Sequence, residues 1–282
     1  MAKNQTTNLF VLLPQANSED NYWHYPMLGV KKAINDIQDF GVVPHIYTFP
    51  ISSASEFEKG LQFYLKSNCQ GILTTPMFPD ILSQYISSEK IKNIVLVDSM
   101  LDTEKPICTI AQDASRSGRM AGALLYGLAN TILITILISE HESMALINKR
   151  VSNFKTYLQE KNKNIRIDEI VVSADKIKES GALNNEMIRK YDGIFVPNSR
   201  ASYLFEHLDL CHQNIVGFDL TPKNRQLLQE EKIKFIICQR PESQGYQGLS
   251  ALHEMVCNNH ISTTFHQIPV DVLHAENFSV KS

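Results

Sequence analysis

In the stretch NIVGFDLTPKN, residues 214–224, Ile215, Val216 and Phe218 make a short apolar run, Asp219 ends it, and Thr221 and Pro222 follow. The apolar run reads as a buried strand. Thr221 before Pro222 reads as a helix start, with the threonine as cap and the proline in the first turn. Asp219 is then left with no cap to make, and a carboxylate at the mouth of a buried strand is costly unless something pairs with it. Other strand ends carry polar or aromatic residues too. Tyr22 and Trp23 follow the first strand, Thr75 ends the third, Asp98 follows the fourth, Asn198 follows the strand at 193–196, and Gln239 follows the run FIIC. Carboxylates and amides exchange hydrogen bonds with hydroxyls, and aromatic faces stack on the apolar face of a sugar ring. A hydrogen bond to a charged group contributes about 1.5–3 kcal/mol, so two or three suffice for a micromolar site in a preformed cleft. The set suits a carbohydrate or another small polyol. Strand-end Asp, Asn and Thr can equally be helix caps, and a lone Trp among turn residues can be packing; residue type alone leaves both readings open.

The elements that would position these side chains alternate along the whole chain. Strand-like runs fall at 9–13, 43–49, 71–75, 94–97, 107–111, 131–138, 165–172, 193–196, 215–218, 235–238 and 265–270. Between them, Met27, Val30, Ile34, Ile37 and Phe40 share one face of a helix over 26–40, as the 3.6-residue period requires. Ser53 and Glu56 have capping-box spacing ahead of Phe57, Leu61 and Leu65. Further helices are expected at about 115–128, 149–161 and 243–257. Such alternation predicts βαβ units and parallel sheets covered on both faces. About ten strands exceed a comfortable single sheet, so the fold class is α/β with two Rossmann-like lobes. No Gly/Ser/Pro-rich linker separates the lobes, which fits a chain that crosses between them at strand ends. In open parallel sheets ligands bind beyond the carboxyl ends of the strands. Two such sheets facing each other would line a cleft with the residues named above.

Composition narrows the function classes. The 282 residues are 43% apolar and 20% charged with a net charge of −3, so no strong overall field favours nucleic acid. The longest apolar run, TILITILI, is far short of the roughly 20 residues of a membrane span. The run LFVLL is broken by Pro14 and reads as a strand, with no targeting segment visible. Five scattered cysteines without a CxxC fit the reduced thiols of a cytoplasmic protein. His207, Cys211 and His212 have helical spacing, but no fourth ligand lies nearby and ordinary helix surface accounts for them, so neither metal nor cofactor is expected. Asp98 and Asp219 could form a carboxylate pair for glycoside chemistry. No nucleophile–base pair or phosphate loop accompanies them, and the expectation is a protein that is not an enzyme.

The segments QGILTTP, NIVLVD, QDASRSGRMAGALL, YDGIFVPNS, NIVGFDLTP and FIICQRPESQGYQG, in that order, carry a resemblance. From about residue 9 to the C-terminus the chain resembles the effector-binding domain of LacI/GalR-type transcriptional regulators, which shares its fold with type I periplasmic sugar-binding proteins. The resemblance implies lobes at 8–111 plus 242–269 and at 112–241 plus 270–282. They would be joined by a hinge of three crossings near 111–112, 240–241 and 269–270 and closed by ligand. It implies that Tyr22 and Trp23 stack on the sugar and that Thr75 stands where the family usually has Asn. Asp98 is followed by Ser99 rather than the frequent arginine, and Asn148 takes a position ahead of a helix where arginine is frequent. Asn198 is followed by Ser199 rather than aspartate, while Asp219 and Gln239 keep the family's residue types. Without the two arginines the cleft would favour a neutral ligand, with Arg150 in partial compensation. Such regulators carry a helix-turn-helix headpiece ahead of this domain, whereas this sequence reaches its first strand just after MAKNQTTN. The expected partners are therefore a small sugar or polyol effector and a second copy in a homodimer, with DNA reached only through a headpiece missing from this chain and no membrane. A solute-binding receptor of a sugar transport system is the alternative on the same fold.

Overall fold

The computed structural model describes residues 6–104, 107–138, 144–161, 164–174, 177, 181, 183–258 and 265–278. The chain forms two α/β lobes, Met1–Gln112 with Arg240–Ile268 and Asp113–Gln239 with Pro269–Ser282, and so passes from one to the other three times. Along the chain, the first lobe contains β1 (Thr7–Pro14), α1 (His24–Ile37), β2 (Val42–Phe49), α2 (Ala54–Lys66), β3 (Gly71–Thr74), α3 (Pro79–Ser87), β4 (Ile94–Val97) and β5 (Cys108–Gln112). The second lobe follows with α4 (Ala114–Leu125), β6 (Thr131–Ile138), α5 (Ala145–Lys161), β7 (Arg166–Ser173), α6 (Asn185–Ile188), β8 (Gly193–Phe195), α7 (Ala201–Phe205), β9 (Asn214–Phe218), α8 (Pro222–Gln229) and β10 (Phe235–Cys238). The chain then returns to the first lobe as α9 (Pro241–Asn258) and β11 (Phe265–Ile268), and β12 (Asp271–Leu273) joins the second.

Each lobe is built on one six-stranded sheet, in the order β11-β5-β4-β3-β1-β2 in the first and β12-β10-β9-β8-β6-β7 in the second. All pairings in the first sheet are parallel, and in the second only β12 runs antiparallel, against β10. The strand expected at 265–270 ends at Ile268 as β11, and a separate strand, β12, begins at Asp271 in the other sheet. Pro269 lies between them and has no N–H to donate to a ladder, so the pairing with β5 stops at Ile268 and a new one begins at Asp271.

The central strands are continuous apolar runs because both faces of each sheet are covered. In β1, Leu9, Val11 and Leu13 pack with Val30 and Ala33 of α1 and Leu249 and Leu252 of α9, while Phe10 and Leu12 pack on the other face with Phe57 and Leu61 of α2. In β6, Leu133 and Leu137 face the cluster of Leu204 and Ile215, and Ile132, Ile134 and Ile136 face that of Val151 and Phe154. On one face of each sheet lies a pair of closely approaching helices. A Cβ on Gly29 of α1 would stand 1.8 Å from Glu242 O, one on Gly245 of α9 would stand 1.9 Å from Pro26 O, and one on Gly118 of α4 would stand 2.2 Å from Arg150 O in α5. No side chain fits at any of the three.

Local signals end the helices as the chemistry suggests, with shifts of a few residues. Ser53 Oγ accepts the Glu56 N–H at 3.2 Å, while the Glu56 carboxylate turns to the Tyr47 hydroxyl and Lys59 rather than back to the cap. The expected helix over 26–40 stays α-helical to Ile37 and finishes as a 3-10 turn over Gln38–Phe40, followed by Gly41 at φ 77°. Helix α4 stops at Leu125, because Tyr126 is extended and Gly127 turns the chain at φ 83°.

Candidate functional site

The strand-end aspartates stand at the same place in the two sheets. Asp98 follows β4 and Asp219 follows β9, and each of these strands is third in its sheet's order. Each aspartate prolongs its ladder by one bond, Asp98 N–H to Ile110 O at 3.3 Å and Asp219 N–H to Ile237 O at 3.0 Å. Each then bends the backbone into the left-handed region, at φ 74° for Asp98 and φ 59° for Asp219. L residues other than Asn and Asp seldom sit there, and strained backbone concentrates at functional positions.

In the first lobe, Asp98 Oδ1 accepts the Tyr22 hydroxyl at 2.7 Å. The Asp98 N–H also donates to Oε1 of Gln244, a buried side chain of α9, at 2.8 Å. Tyr22 is half-buried and stands edge-on to Trp23, with ring centroids 5.2 Å apart. Trp23 is itself only 5% exposed, belongs to the core of this lobe and occupies the N-cap position of α1. Of the two aromatics, then, Tyr22 has the ring with surface to offer and Trp23 supports it from behind. Thr75 is fully buried, and among the described residues its Oγ1 has no hydrogen-bond partner, whereas the adjacent Thr74 Oγ1 donates to Leu12 O at 2.8 Å. A buried hydroxyl without a partner costs roughly 1–3 kcal/mol. Such a cost is tolerated most readily where a ligand or water completes the bond.

In the second lobe, Gln239 is buried at the end of β10. Its Nε2 donates to Asp219 Oδ2 at 2.8 Å and its backbone N–H donates to Asp219 Oδ1 at 3.3 Å. Gln239 Oε1 in turn accepts from Nη2 of Arg150. Arg150 projects from α5, is 2% exposed, donates Nη1 to Pro197 O at 2.8 Å and lies with its guanidinium 4.0 Å from the centre of the Phe218 ring. The strand-end carboxylate is thus paired through an amide with a buried cation. Asn224, fully buried in α8, fixes the backbone around it. Its Nδ2 donates to Phe218 O, Asp219 O and Ser199 O at 3.1, 2.9 and 2.9 Å, and its Oδ1 accepts the Ser202 N–H at 2.9 Å. Asn198 is half-buried and donates Nδ2 to Leu137 O at 2.6 Å, where Arg200 Nη1 also donates at 2.7 Å.

Within the first lobe, therefore, Tyr22, Trp23 and Asp98 come together, and within the second Asp219 and Gln239. Asn148 does not stand ahead of its helix as expected. Helix α5 begins at Ala145, so Asn148 lies in its first turn with an exposed side chain and its N–H bonded to Met144 O at 2.7 Å. Two positions further along a helix is a rotation of about 200°, and there Arg150 faces inward. The nearby basic group expected in partial compensation, Arg150, is thus the buried one of the two. Gln244 and Asn224 were not anticipated. Neither lies at a strand end, and a Gln or Asn inside a helix pattern carries no mark of the backbone groups it serves.

Several other chemistries can be placed against the described residues. No three His, Cys, Asp or Glu side chains come together there as metal ligands. Cys211 is exposed and its thiol donates to Asp209 Oδ1 at 2.7 Å. Burial pushes the Cys108 and Cys69 thiols up. No described helix is long and apolar enough to cross a membrane.

Residues 10–260 match the family described as "Periplasmic binding protein domain". No curated protein matches the chain at a significant level of sequence similarity. Among solved structures, the fold is shared with a Bacteroides fragilis protein provisionally assigned as a LacI transcriptional regulator, at TM-score 0.85 and 22% identity over 97% of this chain and 98% of that one. It is shared with an ABC transporter solute-binding protein from Burkholderia graminis in complex with D-arabinose, at TM-score 0.81 and 16% identity over 100% of both chains. GanP, a glucose-galactose binding protein from Geobacillus stearothermophilus, superposes at TM-score 0.78 with 20% identity over 98% of this chain and 100% of its own. At such identities the likeness is one of fold.

Proposed function

We propose that this chain, which belongs to the periplasmic binding protein domain family, binds a small neutral sugar or polyol between its lobes and acts as the effector-sensing domain of a LacI-type transcriptional regulator. The observation that carries the reading is the pair Asp98 and Asp219. Each lobe ends the equivalent strand in a buried aspartate with left-handed backbone, and each carboxylate is held by a donor from a named neighbour. An ionised carboxylate is an acceptor with room for several hydrogen bonds, so sugar hydroxyls suit it as donors. Tyr22 would stack on the ring, backed by Trp23. Thr75, Asn198 and Gln239 would add polar contacts, and Arg150 takes the place expected of Asn148. A neutral ligand is favoured because the charge of Arg150 is already matched by Asp219 through Gln239.

The switch follows from simple thermodynamics. A ligand that touches both lobes only when they are closed shifts the population toward the closed form by its differential affinity for the two states. The regulator reading is supported by the likeness to the Bacteroides fragilis protein and by five free cysteines, two of them exposed, which suit a reducing cytoplasm. DNA contact would belong to a further domain, and the expected assembly is a homodimer. The second reading, a receptor of a sugar transport system, is favoured by the full-length likeness to the D-arabinose-bound receptor.

The first experiment is a thermal-shift screen with D-glucose, D-galactose, D-arabinose and myo-inositol. A ligand that binds only the folded protein at 100 times its Kd adds about 2.7 kcal/mol. At least one of the four should raise the melting temperature by several degrees, and no rise with any of them would contradict the reading. Release of free sugar from an aryl glycoside would replace it with a catalytic one. Binding of operator DNA that responds to the sugar, measured on the full-length gene product, separates regulator from receptor.

A further inference from the structure

We infer that Asn224 is a positioning residue that acts on the main chain of the second lobe: it favours the left-handed turn at Asp219 and fixes the spacing between that turn and the one carrying Asn198. The inference rests on the sugar-binding reading above for what Asp219 and Asn198 do, but its geometry lies within one lobe. Asn224 is fully buried at the third position of α8, and Thr221 Oγ1 accepts its N–H at 3.4 Å. A capping box would place Glu or Gln there, reaching back to the cap backbone. The shorter asparagine turns inward instead, one helical turn ahead of the buried Leu228. Its Nδ2 donates to Phe218 O at 3.1 Å and to Asp219 O at 2.9 Å, the two carbonyls that flank the Asp219 Cα. In extended backbone successive carbonyls point to opposite sides, whereas in a helical curl they point the same way. One amide reaches both only when Asp219 leaves the strand conformation, as it does at φ 59°.

The same side chain holds a second turn. Nδ2 also donates to Ser199 O at 2.9 Å, and Oδ1 accepts the N–H of Ser202, the second residue of α7, at 2.9 Å. Ser199 directly follows Asn198, whose own side chain is anchored on Leu137 O at 2.6 Å. A side-chain amide has two N–H groups, so the three carbonyls share them, and a flipped amide would set Oδ1 against three oxygens. Aspartate has the same shape but would bring acceptors to those carbonyls, and leucine would bring no donor. Asn224 lies in neither turn and bonds to both. Fully buried among main-chain groups, it is not a ligand contact, and its effect on binding passes through the backbone.

Two measurements on the whole chain test this, with Leu125→Ala as control. Leu125 is fully buried beside Gly193, the first residue of β8 and so at the end of the sheet opposite Asn198 and Asp219. Its truncation lowers stability without reaching either turn. Without ligand, NMR reads the backbone: a positive φ gives a short intraresidue HN–Hα distance that a negative φ does not. In Asn224→Ala that mark should disappear at Asp219 and the Asn198 resonances should shift, while Leu125→Ala keeps both as in the parent. With ligand, calorimetry uses D-glucose, D-galactose, D-arabinose and myo-inositol. For the compound the parent binds, Asn224→Ala should lose about tenfold or more in affinity and Leu125→Ala less than about twofold, although both lower the melting temperature. Asn224→Ser, which keeps one donor, should fall between, and it takes the place of Asn224→Ala where that variant does not fold. A parent-like φ at Asp219 in the folded variant overturns the inference, as does parent affinity, or an equal loss of affinity in Leu125→Ala. If the parent binds none of the four compounds, the sugar-binding reading fails, and the backbone measurement still decides whether Asn224 sets the turn.

Discussion

Asp98 and Asp219 close equivalent strands of two sheets with the same order, yet they are held differently. Asp98 takes the hydroxyl of Tyr22, a half-buried side chain from the turn before α1. Asp219 takes the amide of Gln239, a buried strand-end residue with a buried arginine behind it. The first arrangement includes a hydroxyl from a turn; the second includes an amide from a strand end, backed by a helix and an aromatic face. The contrast teaches that two equivalent carboxylates are each held in place by a neighbouring side chain, one by a half-buried hydroxyl and the other by a buried amide. Preorganisation of this kind raises affinity by lowering the ordering cost of binding.

The largest expected effect would break the comparison at the scaffold. Gly245→Val in the first lobe and Gly118→Val in the second both force side-chain atoms onto a backbone carbonyl. Each should cost about 3 kcal/mol or more, given what overpacking does at rigid contacts. Hydrogen exchange should show protection lost mainly in the lobe that carries the change. Equal loss in both would mean that the lobes do not depend on separate helix pairs.

A smaller effect sharpens the contrast at the site. Tyr22→Phe removes only the hydroxyl bonded to Asp98. Affinity for whichever of the four compounds binds should fall about tenfold, with stability changed by less than about 1 kcal/mol. An unchanged titration curve would leave Asp98 without need of Tyr22.

Smaller again are the two buried threonines whose hydroxyls lack a partner among the described residues, Thr75 in the first lobe and Thr135 on β6 in the second. Valine has nearly the same shape, so Thr→Val at either should hold or raise stability by about 1 kcal/mol. Only Thr75→Val is expected to weaken binding. Equal binding by both variants would remove Thr75 from the site.

The smallest effect concerns Asp192, which tethers the turn before β8 to β6 by accepting from Thr131 Oγ1 at 2.8 Å, Thr131 N–H at 2.7 Å and Asn130 N–H at 3.0 Å. Burial acts to raise its pKa, but the Asn130 and Thr131 hydrogen bonds outweigh burial and hold it below the ordinary aspartate value. A depressed carboxyl contributes stability above its unfolded pKa and loses it as pH falls through the folded one. Urea titrations of parent and Asp192→Asn should therefore differ at pH 7 and converge as pH drops below about 4. A difference that persists at the acid end would contradict the assignment.

Much of this was legible in the sequence because the signals are local. Runs such as LFVLL and TILITILI, punctuated by helical periods, required parallel sheets covered on both faces, and two α/β lobes are what the chain forms. Thr221-Pro222 announced a helix start that the Thr221 cap bears out, its Oγ1 accepting the Asn224 N–H at 3.4 Å. Three features were not legible. The end of β11 at Ile268, short of the strand expected to run to 270, was not legible from local spacing, although the resemblance set a crossing near 269–270. Helix α5 starts at Ala145, four residues before the start expected at 149, which puts Asn148 inside the helix and Arg150 among its buried residues. The partners of Asp98 and Asp219 lie 76 and 20 residues away, beyond the reach of any spacing rule.

Asp98 and Asp219 are both proposed to hydrogen-bond the bound sugar. Calorimetric titration of the parent, Asp98→Ala and Asp219→Ala with D-glucose, D-galactose, D-arabinose and myo-inositol tests it most directly. The expected result is that the parent binds at least one of them and that each variant, still folded, loses about 30-fold or more for that compound, as the loss of a charged hydrogen bond implies. Parent-like affinity in either variant would contradict the claim.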